Sequence, residues 1–420
     1  MAILSHLQAR WSQPVDPAGL ILIRRLFGLV MTVEMVRYLS MGWVHRYYVE
    51  PDFHFSVTGL EWLQPAGLEA MTSLFVIVGV CAAAMFWGTF SRVAAGIFVL
   101  GFGSIFLMDQ TYYQNHLYLV LLVGLYFALV ELSPDRLASR WMIDLLRVQV
   151  GVVYIFGGLA KINADWLAGE PMTQWMALRA DWPVIGSWLA MDGTGVVMAW
   201  AGLFVDLAIV PLLMFTRTRW VGFALAVLFH LFNSVLFKIG IFPVMMVVLT
   251  TVFLPPSWCR RRRPCPSECA QVAPWIYPVV VVWMLSQVVI PARSWVLPGH
   301  TSWTELGHRF SWRMKLRSKV GRVTFHALDK ERGTHKVIDP GDGLTAYQNR
   351  KMATRPALIL KYAHHLASEL ESEGSGQWAV HVDSRVSLNG RTAQTFIDPA
   401  IDLAQETACG QEKWLVPLQN

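Results

Sequence analysis

Nine stretches of this chain are predominantly apolar, near residues 20–39, 68–89, 92–109, 116–133, 143–162, 195–215, 219–238, 240–254 and 274–291. A bilayer core asks for about 20 such residues per helix, within a range of ~17–25. The pattern therefore predicts a polytopic α-helical membrane protein with about nine transmembrane helices. The eighth stretch is the shortest and follows the seventh closely through Gly240, with Pro243 suited to a first helical turn. Between the first two lies a long connection rich in aromatics and histidine, HRYYVEPDFHF. After residue 292 the pattern changes. Residues 322–328 (RVTFHAL) and 378–383 (WAVHVD) have strand-like content, residues 356–370 repeat apolar positions at helical spacing, and turn sequences stand at 339–343 and 389–390. The expected organisation is a membrane domain over 1–292 and a small extracytoplasmic α+β domain over 293–420.

Charge adds an orientation. Only 15% of the residues are charged, against roughly 25% in soluble domains. Lys and Arg collect in alternate short loops: Arg92, then Arg136, Arg140 and Arg147, then Arg217 and Arg219, then the run 260–263. By the positive-inside rule these loops and the N-terminus are cytoplasmic, which puts the C-terminal domain outside. Four concordant loops also support the helix count. The net charge of +6 is thus an orientation signal and implies no nucleic-acid partner. Residues 1–16 are too polar for the apolar core of a signal peptide, so the first stretch is expected to be a retained helix. Of the five cysteines, Cys259, Cys265 and Cys269 cluster without a nearby fourth ligand, and Cys81 and Cys409 stand apart; no metal site is expected.

Three polar sets interrupt the apolar stretches, and polar groups inside a membrane are functional candidates by default. Asn115 and His116 open the fourth. Lys161, followed by Asn163 and Asp165, closes the fifth. His230 and Asn233 share one face of the seventh, three residues apart. The topology brings the first two sets to the outer face, and the third approaches from within the bundle. A lysine at the edge of hydrocarbon loses its proton readily, because desolvation favours the neutral amine, and a neutral amine is a general base. Each set also has an ordinary structural reading. Lysines near helix ends snorkel to headgroups, a bundle histidine often makes a helix–helix hydrogen bond, Asn115–His116 suits a helix start, and Asp165 suits a loop anchor. Soluble-enzyme motifs such as GxSxG with partners, a phosphate loop or HExxH do not occur.

At these residues the chain resembles the vitamin K-dependent gamma-glutamyl carboxylase family, with an HTTM-like membrane domain. The resemblance runs through IRRLFGLVM near the N-terminus, NHLYL at 115–119, YIFGGLAKINADWLAGEPM at 154–172, FHLFNSVLFKIGIF at 229–242, GHRFSWRMKLR at 307–317, FIDPAID at 396–402 and WLVPL at 414–418. It implies that Lys161 is the base that deprotonates reduced vitamin K, a hydroquinone that then reacts with O2. The strong base so formed removes a glutamate γ-proton, CO2 adds, and the quinone leaves as an epoxide. On this resemblance Asn115 and His116 position the hydroquinone or activate the lysine, and Arg179, Arg309, Arg313 and Arg317 are candidates for the substrate carboxylate. The intramembrane placement of His230 and Asn233 adds them, with Asn115, to the candidate cofactor site. The implied partners are a glutamate-containing peptide, the bilayer and a quinone reductase that recycles the cofactor. The setting is a bacterial inner membrane with the outer domain in the periplasm.

The animal enzymes continue past the segment that WLVPL resembles, into a domain implicated in propeptide recognition, whereas this chain stops at Asn420. Ala160 and Ala177 stand where they carry a lysine and an arginine. The chain looks like a bacterial-type relative. Two other functions stay open from the residues: a quinol epoxidase or oxygenase without carboxylation, and a non-enzymatic quinone- or lipid-binding scaffold.

Overall fold

The computed structural model describes residues 2–237, 239–259, 268–269, 272–374 and 376–419. The arginine run 260–263 and Cys265 lie outside the described residues. Each of the nine apolar stretches holds a helix: α1 Ala18–Ser40, α2 Leu68–Trp87, α3 Ser91–Met108, α4 Asn115–Leu129, α5 Arg140–Leu159, α6 Thr194–Met214, α7 Arg219–Leu236, α8 Phe242–Thr250 and α9 Ile276–Ala292. Among the described residues, six of these (α2, α3, α5, α6, α7, and α9 with the turn after it) are long and apolar enough to cross a membrane. The other three depart from a plain span for visible reasons. Helix α1 has 23 residues but carries charge, with Arg24 donating to Ser91 Oγ at 3.1 Å and Arg37 to Glu34 at 2.6 Å. Helix α4 has 15 residues, and α8 has nine before a 3-10 turn.

Neighbours in sequence pack together from α1 to α4. Helix α5 takes the centre, touching α6, α8 and α9, while α7 packs on α6 and α8. Burial agrees: two thirds of the most apolar window of α5 is buried, against a third or less for the other five long helices. Close approach is built in by small residues. A Cβ on Gly28 of α1 would stand 2.5 Å from the Ala82 carbonyl oxygen of α2, so only glycine fits at that crossing.

The C-terminal part is an antiparallel sheet in the order β2-β1-β3-β4, from β1 Lys319–Asp329, β2 His335–Ile338, β3 Trp378–Leu388 and β4 Gln394–Thr395. The expected strands fall inside β1 and β3, which pair from Lys319 opposite Leu388 to Asp329 opposite Trp378. Alternate residues Val323 and Phe325 of β1, with Val380 and Val382 of β3, pack under Leu358, Ile359, Tyr362 and Leu366 of the helix Pro356–Glu373. A shorter helix, Ala346–Met352, precedes it and starts with a Thr345–Gln348 capping box. In chain order these are α10 and α11. The turn at 389–390 uses positive φ at both residues, 50° at Asn389 and 80° at Gly390.

The two parts interpenetrate. Phe53 and Phe55, from the aromatic connection after α1, sit in the core of the outer part. In the other direction, residues 305–318 form a strap laid back over the helices, and Trp312 is wholly buried in the helical core. Glu305, Phe310, Trp312 and Lys315 all have φ between 54° and 63°. Four non-glycine residues in the left-handed region within one short segment mark a backbone that its surroundings force.

Candidate active site

Helix α5 ends at Leu159, and the chain turns at once, so the Lys161 side chain folds back along its own last turn. It is 7% exposed. Its Nζ donates to the Gly157 carbonyl oxygen at 3.2 Å and to the Asp206 carboxylate on α6, and it lies 5.3 Å from the centre of the Trp166 ring. The residues just beyond are structural. Asn163 caps the next short helix by accepting from the Trp166 N–H at 3.0 Å. Asp165 receives both Arg391 Nη atoms, at 2.6 and 3.0 Å, and Asn389 Nδ2 at 2.8 Å. Burial pushes the Asp165 carboxyl up, and the hydrogen bonds from Arg391 and Asn389 outweigh it, so it titrates below its ordinary value.

Lys161 and Asp206 face a cavity of about 1070 Å³. Asn115, His116, Asn233, Arg309, Arg313 and Arg317 line the same cavity, so most of the residues singled out from the sequence meet in one space. The cavity has two unlike halves. Toward the bundle its walls are apolar, including Val153, Val205, Leu225, Phe229, Phe242 and Met246. Toward the outer part they are cationic, with Arg313, Lys315, Arg317, Lys319, Lys351 and Arg355.

At the helical end, Asn115 Oδ1 accepts from the Tyr113 hydroxyl at 2.8 Å, and that hydroxyl accepts the Phe310 N–H at 2.6 Å. The start of α4 is thus tied to the strap. The rings of His116 and His230 both lie beside Phe242, at 6.0 and 5.8 Å between centres. His230 is not among the lining residues. It is 2% exposed, its Nε2 pairs with the Tyr154 hydroxyl at 2.8 Å, and Tyr154 in turn reaches Thr250 Oγ1 at 3.0 Å. Tyr154 lines the cavity and connects His230 to it.

At the outer end, Glu305 pairs with Arg317 at 2.8 Å and Lys319 at 3.2 Å. Arg309 donates to the Gln110 side chain. Arg313 is 8% exposed and its Nε has no hydrogen-bond partner among the described residues. Among the described residues no carboxylate pairs with Arg313, Lys315, Lys351 or Arg355. Burial pulls Lys319 down to about 8 against the opposing pull of Glu305, and burial reinforced by neighbouring cations pulls Lys351 down to about 7. A half-enclosed surface with this excess of cations is a site for an anion. Arg179 lies elsewhere. Its Nη2 donates to the Leu236 carbonyl at 3.2 Å and its guanidinium covers Trp182, so it closes the C-terminal end of α7.

Asp206, Lys315, Lys351 and Arg355 were not singled out from the sequence. Asp206 had a readable signal, a lone carboxylate inside an apolar stretch. The others sit on elements whose approach to the membrane part no local pattern announces. Among the described residues no group of three or more His, Cys, Asp or Glu is placed to hold a metal.

Helices long and apolar enough to cross a membrane, with a half-enclosed, charge-lined cavity between them and the outer part, define an integral membrane protein with a two-faced site. Residues 12–258 match the HTTM domain, and residues 272–420 match the vitamin K-dependent gamma-carboxylase, lumenal domain. The chain belongs to the vitamin K-dependent gamma-carboxylase family. No solved structure matches it.

Proposed function

We propose that this protein carboxylates peptide glutamate to gamma-carboxyglutamate, with reduced vitamin K as cofactor and O2 and CO2 as co-substrates. The observation that carries this reading is a cavity with one apolar and one cationic wall, bordered by the buried Lys161. The apolar half suits the cofactor: Phe229, Phe242 and Met246 offer a wall for a lipid-soluble ring and chain, and Asn115 and His116 offer an amide and an imidazole for its oxygens. When bound, the reduced quinone supplies, with O2, the strong base that removes a glutamyl γ-proton before CO2 adds.

The chain's own residues then have separable tasks. Lys161 Nζ accepts a quinol hydroxyl proton. His116 and Asn115 orient that hydroxyl, while His230 braces the wall through Tyr154. Arg313 and its cationic neighbours hold the substrate carboxylate by charge-assisted hydrogen bonds. Burial keeps bulk water from a reactive centre that water would quench. Each turnover consumes reduced quinone, so a quinone reductase is the partner the cycle requires. We place all nine helices in a bacterial inner membrane, N-terminus inside and outer domain in the periplasm. The arginine-bearing ends of α3 and α5 lie opposite the cavity end of the bundle, which supports this orientation.

The test is to supply the purified protein in lipid nanodiscs with reduced vitamin K, radiolabelled bicarbonate and a glutamyl peptide. The expected result is label in the peptide and an equivalent yield of quinone epoxide, both lost in Lys161→Ala by about a hundredfold or more. Epoxide without label would select an oxygenase that does not carboxylate. Neither product from folded protein would overturn the reading.

A further inference from the structure

Lys161 shares its buried position with a carboxylate that the reading above leaves without a task. Asp206 is 6% exposed, in the middle of α6, and its Oδ2 accepts from Lys161 Nζ. The contact depends on Gly158 of α5, while Gly157 beside it leaves only ordinary contact distance. A Cβ on Gly157 would lie 3.6 Å from Asp206 Oδ2, and one on Gly158 would lie 2.6 Å from Leu207 Cδ2 and 3.3 Å from Asp206 Cβ. Without a side chain at 158, α6 comes close enough to set its carboxylate against the amine.

A neutral amine has two N–H donors and one lone pair. Here two acceptors, Asp206 Oδ2 and the Gly157 carbonyl oxygen, are in place. With both donors engaged, the lone pair takes the remaining tetrahedral direction, and Lys161 and Asp206 both border the cavity. We propose that Asp206 is the positioning residue of the Lys161 base: its carboxylate orients the amine so that the lone pair meets the quinol hydroxyl, and its charge stabilises the ammonium that forms.

The transfer balances simply. The quinol O–H bond breaks, an N–H bond forms on Nζ, the electron pair stays on oxygen, and the new positive charge rests beside a fixed negative one. A phenolic hydroxyl titrates near 10, so an amine alone in hydrocarbon, weakened by desolvation, is a poor acceptor for its proton; an adjacent carboxylate restores the match. Other titratable or charged groups bordering the same cavity include Tyr154 of α5, His116 of α4, and Arg313 and Lys315 of the strap. Among the described residues none of them hydrogen-bonds to Lys161 or Asp206, so Asp206 is the direct partner.

This inference rests on the function proposed above, and its test separates the two. The full chain, purified in nanodiscs, is reductively methylated with formaldehyde across a pH series, and modification of Lys161 is read by peptide mass spectrometry. This readout needs no quinol. In Asp206→Asn the curve is expected to move to lower pH by about one unit or more, because the ammonium loses its counter-charge. Asp206→Glu should return it toward wild type. Gly158→Ala, which presses Leu207 and Asp206 away, should shift it in the same direction as Asp206→Asn without touching either partner, and serves if the Asn variant does not fold. With quinol present, Asp206→Asn should lower kcat about tenfold or more, with KM for the quinol little changed. Curves for Asp206→Asn and Gly158→Ala that superimpose on wild type would overturn the proposal. A shifted curve in a protein that never consumes quinol would support the pairing and sink the carboxylase reading instead.

Discussion

Lys351 shows how an ordinary residue becomes responsive through placement alone. Burial, then the charges of Arg355, Arg317, Arg350 and Lys315, pull its ammonium down to about 7. A bound carboxylate favours the charged form, so anion binding is strongest below that value and weakens as pH rises through 7–8. The KM for a glutamyl peptide, measured from about pH 6 to pH 9, should therefore rise across this window, and Lys351→Met should flatten the rise. The same shift lowers stability. The folded state holds the proton less tightly than the unfolded state, so the penalty is full below about 7 and fades toward the ordinary lysine value of 10.5. Lys351→Met should accordingly raise the Tm, most clearly at low pH. Arg179 illustrates the opposite case: a guanidinium of the right chemistry, spent on a helix end.

Among the elements, the link between the lysine-bearing turn and the β3–β4 hairpin has the clearest consequence. Asp165, four residues beyond Lys161, is held by Arg391 and Asn389 from the hairpin turn. Removing Arg391 leaves a mostly buried carboxylate with one partner fewer, a loss of about 2 kcal/mol. Arg391→Ala is expected to raise hydrogen–deuterium exchange across 163–177 and to lower turnover, while exchange in α2 and α3 stays unchanged. Unaltered exchange at 163–177 would show that the hairpin does not hold this segment. Asp165 matches its ordinary structural reading as an anchor, and the structure adds a cap at Asn163. Lys161 does not match its own: its amine turns inward and does not reach for the headgroups.

For the whole molecule, the boundary near residue 292 is a change in composition more than a seam in packing. Phe53 and Phe55 complete the outer core from the membrane side, and Trp312 completes the helical core from the outer side. Excised 293–420 would lose the first pair and expose the strap. Such a fragment should aggregate or show a broad, weakly cooperative thermal transition by circular dichroism, whereas a sharp transition and a monodisperse elution would mark it as an independent domain. The cavity follows from this arrangement, since its apolar wall belongs to one part and its cationic wall to the other.

Local pattern was enough to read the apolar helices, both long strands, the outer helix and the candidates Lys161, Asn115 and His116, because bilayer length, strand alternation and helical spacing are written in neighbouring residues. Which groups meet is a different matter. Asp206 stands 45 residues beyond its lysine on another helix, and Lys351 reaches the cavity from a helix of the outer part. Such pairings depend on how glycine-lined helices close on one another and where the strap lies, so only the folded chain decided them.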